Sequence, residues 1–273
     1  MSQPPQRSRQ AQVRSNCCDA RLQLPSANLP VYEQPRAPAM RVRQMNPDDF
    51  SSVATLLAEA FHEDILFAWL HPRRTEYPAQ FRDSFLRTLK RRHYTPGTQS
   101  VVAETDETDV DCWNGKPEIA GYAAWERKGP SDAARKWQQD SSLNKLERLL
   151  LKGTDRYYEL LGLDRSENLA AVRRFRATTS NVMEDVDDHW YLAWLGVSNR
   201  HRRRGVGRLL VGWGLDNAEE EGVPVWLTSS PVGEKLYEKM GFRGFGYTPI
   251  VDGELCPVFI WEPKGMEGKW GER

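Results

Sequence analysis

Apolar and polar positions change period several times along this chain, and each change marks an element. Residues 40–45 alternate as a short strand. Asn46-Pro47-Asp48-Asp49 follows: an N-cap, a proline at the first helical position, and two early carboxylates suited to the positive end of a helix dipole. A helix is expected from Pro47 to about His62, with its stripe at Phe50, Val53, Ala54, Leu57 and Phe61. Residues 65–70 form an apolar run that stops at His71-Pro72. Helical spacing returns over 76–92 through Phe81, Phe85, Leu86 and Leu89, ending in basic residues that complement a helix C-terminus. Residues 100–104 and 119–126 predict two antiparallel strands joined by an acidic, solvated connector.

Residues 190–197 are apolar on both faces, as in a central strand covered on both sides. Gly196 near its end suits a bulge or a close backbone approach. A polar loop then leads through three arginines into a helix with a stripe at Val206, Leu209, Leu210 and Trp213. Gly212 and Gly214 inside it each cost about 1 kcal/mol relative to alanine, which predicts close packing against a sheet. Gly222 ends the helix. Residues 225–228 read as a strand, Ser229-Ser230-Pro231 opens a further helix, and 254–261 is a last strand. Ahead of the central strand, residues 127–188 carry helical patterns at 143–151 and 167–183, with a turn expected at Lys152-Gly153-Thr154.

A strand that feeds a glycine-containing loop onto a helix start gathers free backbone N–H groups and the positive dipole end at one spot. That is an anion site. In Arg202-Arg203-Arg204-Gly205-Val206-Gly207-Arg208 the glycines let a phosphate reach the backbone, and the guanidinium forks can share its oxygens. A Walker loop needs Gly-Lys-Ser/Thr where this chain has Gly207-Arg208-Leu209. A dinucleotide fingerprint needs a small residue at Leu210 and an acidic residue about 20 positions on, closing a second strand. Both are excluded.

Arg202-x-x-Gly205-x-Gly207 resembles the acetyl-CoA-binding motif of the GCN5-related N-acetyltransferases (the GNAT family), Gln/Arg-x-x-Gly-x-Gly/Ala. Tyr237-x-x-x-Gly241-Phe242 resembles the family's second hallmark, at the expected distance. The resemblance implies an α/β fold, the GNAT acyl-CoA N-acyltransferase fold, with a mixed central sheet flanked by helices. It would span residues 39–263, with a helical insertion at about 127–188. The implied co-substrate is acetyl-CoA, entering where a bulged central strand splays from its neighbour. Leu195, Gly196 and Val197 would then offer backbone groups, residues 202–208 would hold the pyrophosphate, and Ser229 and Ser230 would bond pantetheine or cap the next helix. The implied reaction is direct attack by an amine, a small molecule or a protein, in a ternary complex. Val197 N–H would meet the thioester oxygen, and Tyr237 would act as general acid, a phenol of pKa ≈ 10 facing a thiolate whose conjugate acid lies near ~8.5. In the family the early helices line the acceptor side, a carry-over by position only.

Many relatives carry a glutamate on the central strand or just beyond the next. Here residues 190–197 hold no carboxylate, and Thr228 stands where an acidic residue is often found. Asp188 and His189 are the nearest titratable groups, and His189, which changes charge near neutral pH, is the candidate base beside a water relay or an already neutral amine. The missing carboxylate leaves a non-catalytic acyl-CoA sensor or scaffold as the alternative; Tyr237 speaks for the enzyme.

Composition adds limits. The 273 residues carry no formal net charge and are 39% hydrophobic, which suits one globular domain with a tail. Balanced charge gives no long-range attraction to nucleic acid or membrane. No apolar run approaches the roughly 20 residues of a membrane span, and no secretory core stands at the N-terminus, so an intracellular, cytoplasmic protein is expected. Residues 1–38, rich in Gln, Pro, Arg and Ser, read as a disordered arm whose arginines leave a nuclear or mitochondrial address open. Residues 264–273 are expected to fray. Cys17, Cys18, Cys112 and Cys256 show no metal spacing and are expected to be reduced. The insertion is placed either to cap an acceptor pocket or to elaborate the periphery.

Overall fold

The computed structural model describes residues 40–179, 186–251 and 254–270. The expected arm at 1–38 lies outside the described residues, as does the end of the helical pattern at 167–183. The strands are β1 (Arg41–Gln44), β2 (Thr98–Glu104), β3 (Ile119–Lys128), β4 (His189–Val197), β5 (Val225–Thr228), β6 (Arg243–Val251) and β7 (Glu254–Trp261). The helices are α1 (Phe50–Ala60), α2 (Ile65–Leu70), α3 (Pro78–His93), α4 (Asp132–Trp137), α5 (Ser142–Leu161), α6 (Leu169–Thr179), α7 (Val206–Glu221) and α8 (Glu234–Lys239). One sheet runs in the order β1-β2-β3-β4-β5-β7-β6. Among the described residues only the β4–β5 pair is parallel.

Strand alternation assigns each side chain to one of two layers. Val101, Ala103, Ala123, Trp125, Trp190 and Leu192 pack against Val206, Leu210, Val211 and Ala218 of α7. On the opposite face Val102, Tyr122 and Ala124 pack against Val53 and Leu57 of α1 and Phe81, Phe85 and Leu89 of α3. Each buried valine, leucine or phenylalanine among them contributes about 1.5–3 kcal/mol. The turn from β1 into α1 is fixed by a reciprocal capping box: Asp48 N–H donates to the Asn46 side chain (3.0 Å) and Asn46 N–H to Asp49 (2.8 Å). The helix expected from Pro47 therefore begins as a 3-10 turn at Pro47–Asp49 and becomes α1 at Phe50.

Gly214 confirms the close approach of α7 to the sheet, because a Cβ there would lie 2.3 Å from the Trp125 ring. Gly212 does not: nothing lies within 4 Å of such a Cβ. Among the described residues the insertion contains three helices, α4, α5 and α6. The turn expected at Lys152-Gly153-Thr154 is absent, and α5 runs straight through it. One glycine costs a helix about 1 kcal/mol and does not end it; the ends are set by Ser141, which accepts from Asn144 N–H (3.0 Å), and by left-handed Gly162 (φ 59). Near the C-terminal end, Trp270 N–H donates to Glu262 (3.1 Å) and its carbonyl accepts from Arg243.

Candidate active site

β4 is built in two phases. It pairs with β5 only over Trp190–Leu192, after which the two strands part while β4 continues beside β3 to Val197. Opposite β3, Trp194 faces Ala124 and Leu192 faces Trp125, so Ala193 is the extra residue of a bulge. The bulge is therefore at Ala193, not at Gly196. Gly196 serves the other expected purpose: a Cβ there would lie 2.7 Å from Leu57 of α1.

The extra residue shifts the alternation. Trp190 and Leu192 face α7, and past the bulge Leu195 and Val197 face it too. Their peptide groups turn with them. Ser198 N–H donates to Ala120 of β3 (2.9 Å), so the peptide groups of Val197 and Leu195, of opposite parity, point to the open side where β5 has ended.

The chain then makes a 3-10 turn at Asn199–His201 and enters α7 through Gly205 (φ 82), its N-cap. Gly205 provides no side-chain cap, which leaves the first amides of α7 open. Among the described residues, Arg203 (φ 63) is the non-glycine with left-handed backbone, at a cost of roughly 1–2 kcal/mol. Arg202, Arg203, Arg204 and Arg208 are exposed and make no ion pair among the described residues, whereas Arg200 is held by Glu118 (2.8 Å). Gly207 faces α8 and the splay; a Cβ there would lie 3.1 Å from Leu236 and 3.9 Å from Leu195 and Val197. His201, buried under this turn, has no partner for either ring nitrogen.

Tyr237 on α8 is buried against Phe242 and Phe259, its ring accommodated by Gly233, where a Cβ would lie 3.0 Å away. Burial, and then Tyr191 of β4, push its hydroxyl well above the usual phenol range. Tyr191 is raised by burial as well, with the Thr228 side chain opposing that shift. Ser229 and Ser230 do not cap α8. Ser229 N–H donates to Pro257 (2.9 Å), its hydroxyl donates to the Ser230 carbonyl (2.7 Å), and α8 starts later, at an N-cap of Gly233.

His189 is not brought to the splay. It opens β4 opposite Lys128, four residues before Ala193, roughly 13 Å along a strand. Its Nδ1 lies 2.7 Å from the Val186 carbonyl, and burial lowers its pKa. It is a packing group, as is Asp188, which accepts from Ser131 (2.6 Å) and fully buried Arg127 (3.1 Å).

The structure supplies carboxyls that a scan of β4 misses. Glu126 of β3 stands opposite Tyr191 and accepts from Arg92 (2.7 Å) and Lys128 (2.9 Å). Burial raises its pKa, but Arg92 and Lys128 outweigh burial and hold it below the usual range. Arg92 also lies over the Trp194 ring, 5.0 Å from its centroid. Asp64 caps α2 through Oδ1, which accepts from Leu66 N–H (3.0 Å) and Phe67 N–H (3.3 Å), and burial raises its pKa. Phe61 and Phe67 pack on Trp194, at 6.3 and 6.0 Å. Register and tertiary contact unite Glu126, Arg92, Trp194, Phe61 and Phe67, so no spacing announces them; Asp64 caps the helix that carries Phe67. Among the described residues no cluster could hold a metal ion, and no helix is long and apolar enough to cross a membrane.

A family model described as Acetyltransferase (GNAT) family matches residues 58–242. The chain belongs to the GNAT acetyltransferase family. An uncharacterized N-acetyltransferase of Schizosaccharomyces pombe is 25% identical over 209 residues, 74% of each chain. A probable acyltransferase, SID5, of Ajellomyces capsulatus is 40% identical over 57 residues, 21% of this chain and 42% of that protein. Among solved structures, a Corynebacterium glutamicum protein described as histone acetyltransferase HPA2 and related acetyltransferase is 21% identical, with a TM-score of 0.53 over 82% of this chain and 96% of that one. That likeness establishes the shared fold. The GNAT co-substrate is acetyl-CoA, and the residues present fit it. The turned-out peptide groups of Leu195 and Val197 can bond an amide chain, Gly207 keeps side-chain atoms out of the cleft, and four arginines surround the open first turn of α7.

Proposed function

We propose that this GNAT protein transfers the acetyl group of acetyl-CoA to a small amine with an apolar body, by direct attack within a ternary complex. The observation that carries the reading is the splay after Leu192, with turned-out peptide groups at Leu195 and Val197 leading to the open first turn of α7. Bound acetyl-CoA supplies an activated acetyl thioester. The Leu195 and Val197 peptide groups hold its amide chain, and Val197 N–H donates to the oxygen on which charge develops. The amides of Val206, Gly207 and Arg208 and the neighbouring arginines hold its phosphates. Tyr237, kept protonated by burial across neutral pH, gives its hydroxyl proton to the departing sulfur.

For the amine's proton the acceptor half offers two carboxyls of opposite bias. Glu126 is held ionised by two cations and is a poor proton acceptor. Asp64, raised by burial, is the better one, since a base works best with a pKa moved toward the operating pH. An apolar acceptor body is supported by Phe61, Phe67 and Trp194. A small acceptor, rather than an extended protein tail, is supported by α6, whose Ala171, Val172 and Phe175 pack on Leu66, Trp69 and Leu70 of α2, and which also contacts β6.

The purified chain incubated with acetyl-CoA and a panel of amines, with free thiol followed, tests the reading. Thiol release should be fastest with arylalkyl and branched aliphatic amines and slow with peptides. Coenzyme A binding without thiol release on any amine would instead make the protein an acyl-CoA sensor. Loosening the roof with Ala171→Glu should admit peptides; an unchanged acceptor preference with an intact fold would reject the capping role.

A further inference from the structure

Helix α5 is mounted with its apolar side outward. Leu143, Leu146, Leu150, Tyr157 and Leu160 are between 53% and 74% exposed, and no residue of the helix is buried. Its polar side is the one that holds the body. Asp155 accepts from Arg91 of α3 (2.5 Å), Arg148 donates to the Tyr94 carbonyl (2.6 Å), and the Arg87 guanidinium lies 4.4 Å from the Tyr158 ring centroid. A surface helix ordinarily does the reverse. With Leu149 and Leu161 on its margins, the bare apolar face is roughly 800 Å², the share of one partner in a standard stable interface and more than monomers leave uncovered.

We propose that this face is the contact of a symmetric dimer, with α5 packed antiparallel on α5 of a second copy. Leu143, Leu146, Leu150, Gly153, Tyr157 and Leu160 alternate three and four residues apart, the spacing of a coiled-coil seam. A two-fold axis through the helix midpoint sets Leu143 against Leu160, Leu146 against Tyr157, and Leu150 against Gly153. The central leucine then fills the gap that the glycine leaves, and each contact occurs twice, as a two-fold interface requires. Parallel packing would put Gly153 beside Gly153 and leave a hole. In the antiparallel register Glu147 comes level with Arg156, while each meets its own copy nine residues away, roughly 13 Å along the axis.

Analytical ultracentrifugation of the whole chain at micromolar concentration tests this. The expected result is a dimer whose self-affinity falls at least ~30-fold in Leu150→Asp, with the thermal melt retained because this side chain is exposed in the single copy. For the orientation, an equimolar mixture of Leu143→Cys and Leu160→Cys chains should oxidise to a covalent dimer that neither variant nor the parent forms alone. A monomer throughout the range, a Leu150→Asp dimer of parental affinity, or a Leu150→Asp chain that fails to fold would each overturn the proposal. So would cross-linking of Leu143→Cys to itself. A chain that stays monomeric and co-sediments with phosphatidylserine vesicles would assign the face to a membrane surface instead.

Discussion

The two halves of the cleft are made of different materials. The half proposed to meet acetyl-CoA uses main chain: the amides of Leu195 and Val197, the first turn of α7, and glycines at 205 and 207 that keep side-chain atoms away. The proposed acceptor half uses side chains drawn from separate elements: Phe61, Phe67, Trp194, Arg92, Glu126 and Asp64. Peptide groups are alike in every protein and suit a co-substrate common to a family; side chains can be exchanged one at a time and suit an acceptor that changes. Tyr237 is the residue proposed to act between the halves.

Removing the Tyr237 hydroxyl should therefore damage turnover without touching recognition on either side. Tyr237→Phe is expected to lower kcat by about 10²–10⁴, the usual worth of a positioned acid, with both KM values nearly unchanged in steady-state kinetics. An unchanged kcat would remove the role. Gly207→Val should separate the halves: its side chain meets Leu236, Leu195 and Val197, so coenzyme A affinity measured by calorimetry should fall by roughly 10–100-fold, about 1.4–2.8 kcal/mol, with the acceptor KM spared. An equal loss on both sides would mean that the division is not real.

Smaller effects sharpen the acceptor half. Asp64→Asn retains the α2 cap, because asparagine caps as well as aspartate, but loses the proton acceptor. We expect about a tenfold drop in kcat/KM and loss of the acidic limb of its pH profile. Glu126→Gln should change kcat/KM less and leave that limb in place. The reverse ranking would transfer the role.

The smallest effect is on stability, and each half carries a group responsible for it. Burial drives His71, which packs on Phe81 with Nδ1 3.0 Å from the Ser166 hydroxyl, down to about 4, and also lowers His201 beneath the arginine turn. Both favour the neutral ring when folded, so below the ordinary histidine pKa of about 6.5 the unfolded chain binds more protons. Their contribution to stability is complete above that pH and is lost progressively as pH falls toward about 4. Thermal melts from neutrality down to that pH should show the decline, and His71→Asn should flatten it. An unaltered acid profile in His71→Asn would show that another group titrates.

This division also explains what the sequence disclosed. Glycine requirements and helix starts are local, so residues 202–207 and the Tyr237-to-Phe242 stretch were legible as letters at fixed spacing. So was the central place of β4, because runs apolar on both faces belong at the centre of a sheet. Glu126 was not legible, since only the register of β3 against β4 sets it opposite Tyr191. Asp64 reads as a helix cap and nothing more until the fold buries it. The expected serine cap at residues 229–230 failed because Ser229 is engaged with β7 and its own neighbour. The turn expected at Gly153 failed because a helix capped at both ends tolerates one glycine.

Ala193 carries no chemistry, yet the cleft depends on its being counted. Replacing it with another small residue should be nearly silent. Deleting it would leave Leu195 and Val197 on the α7 layer, now in plain alternation with Trp190 and Leu192, but would remove the bulge whose bend and added twist carry β4 away from β5. The bend at the doorway is thus encoded as one surplus residue, which no single substitution can erase and one lost codon can.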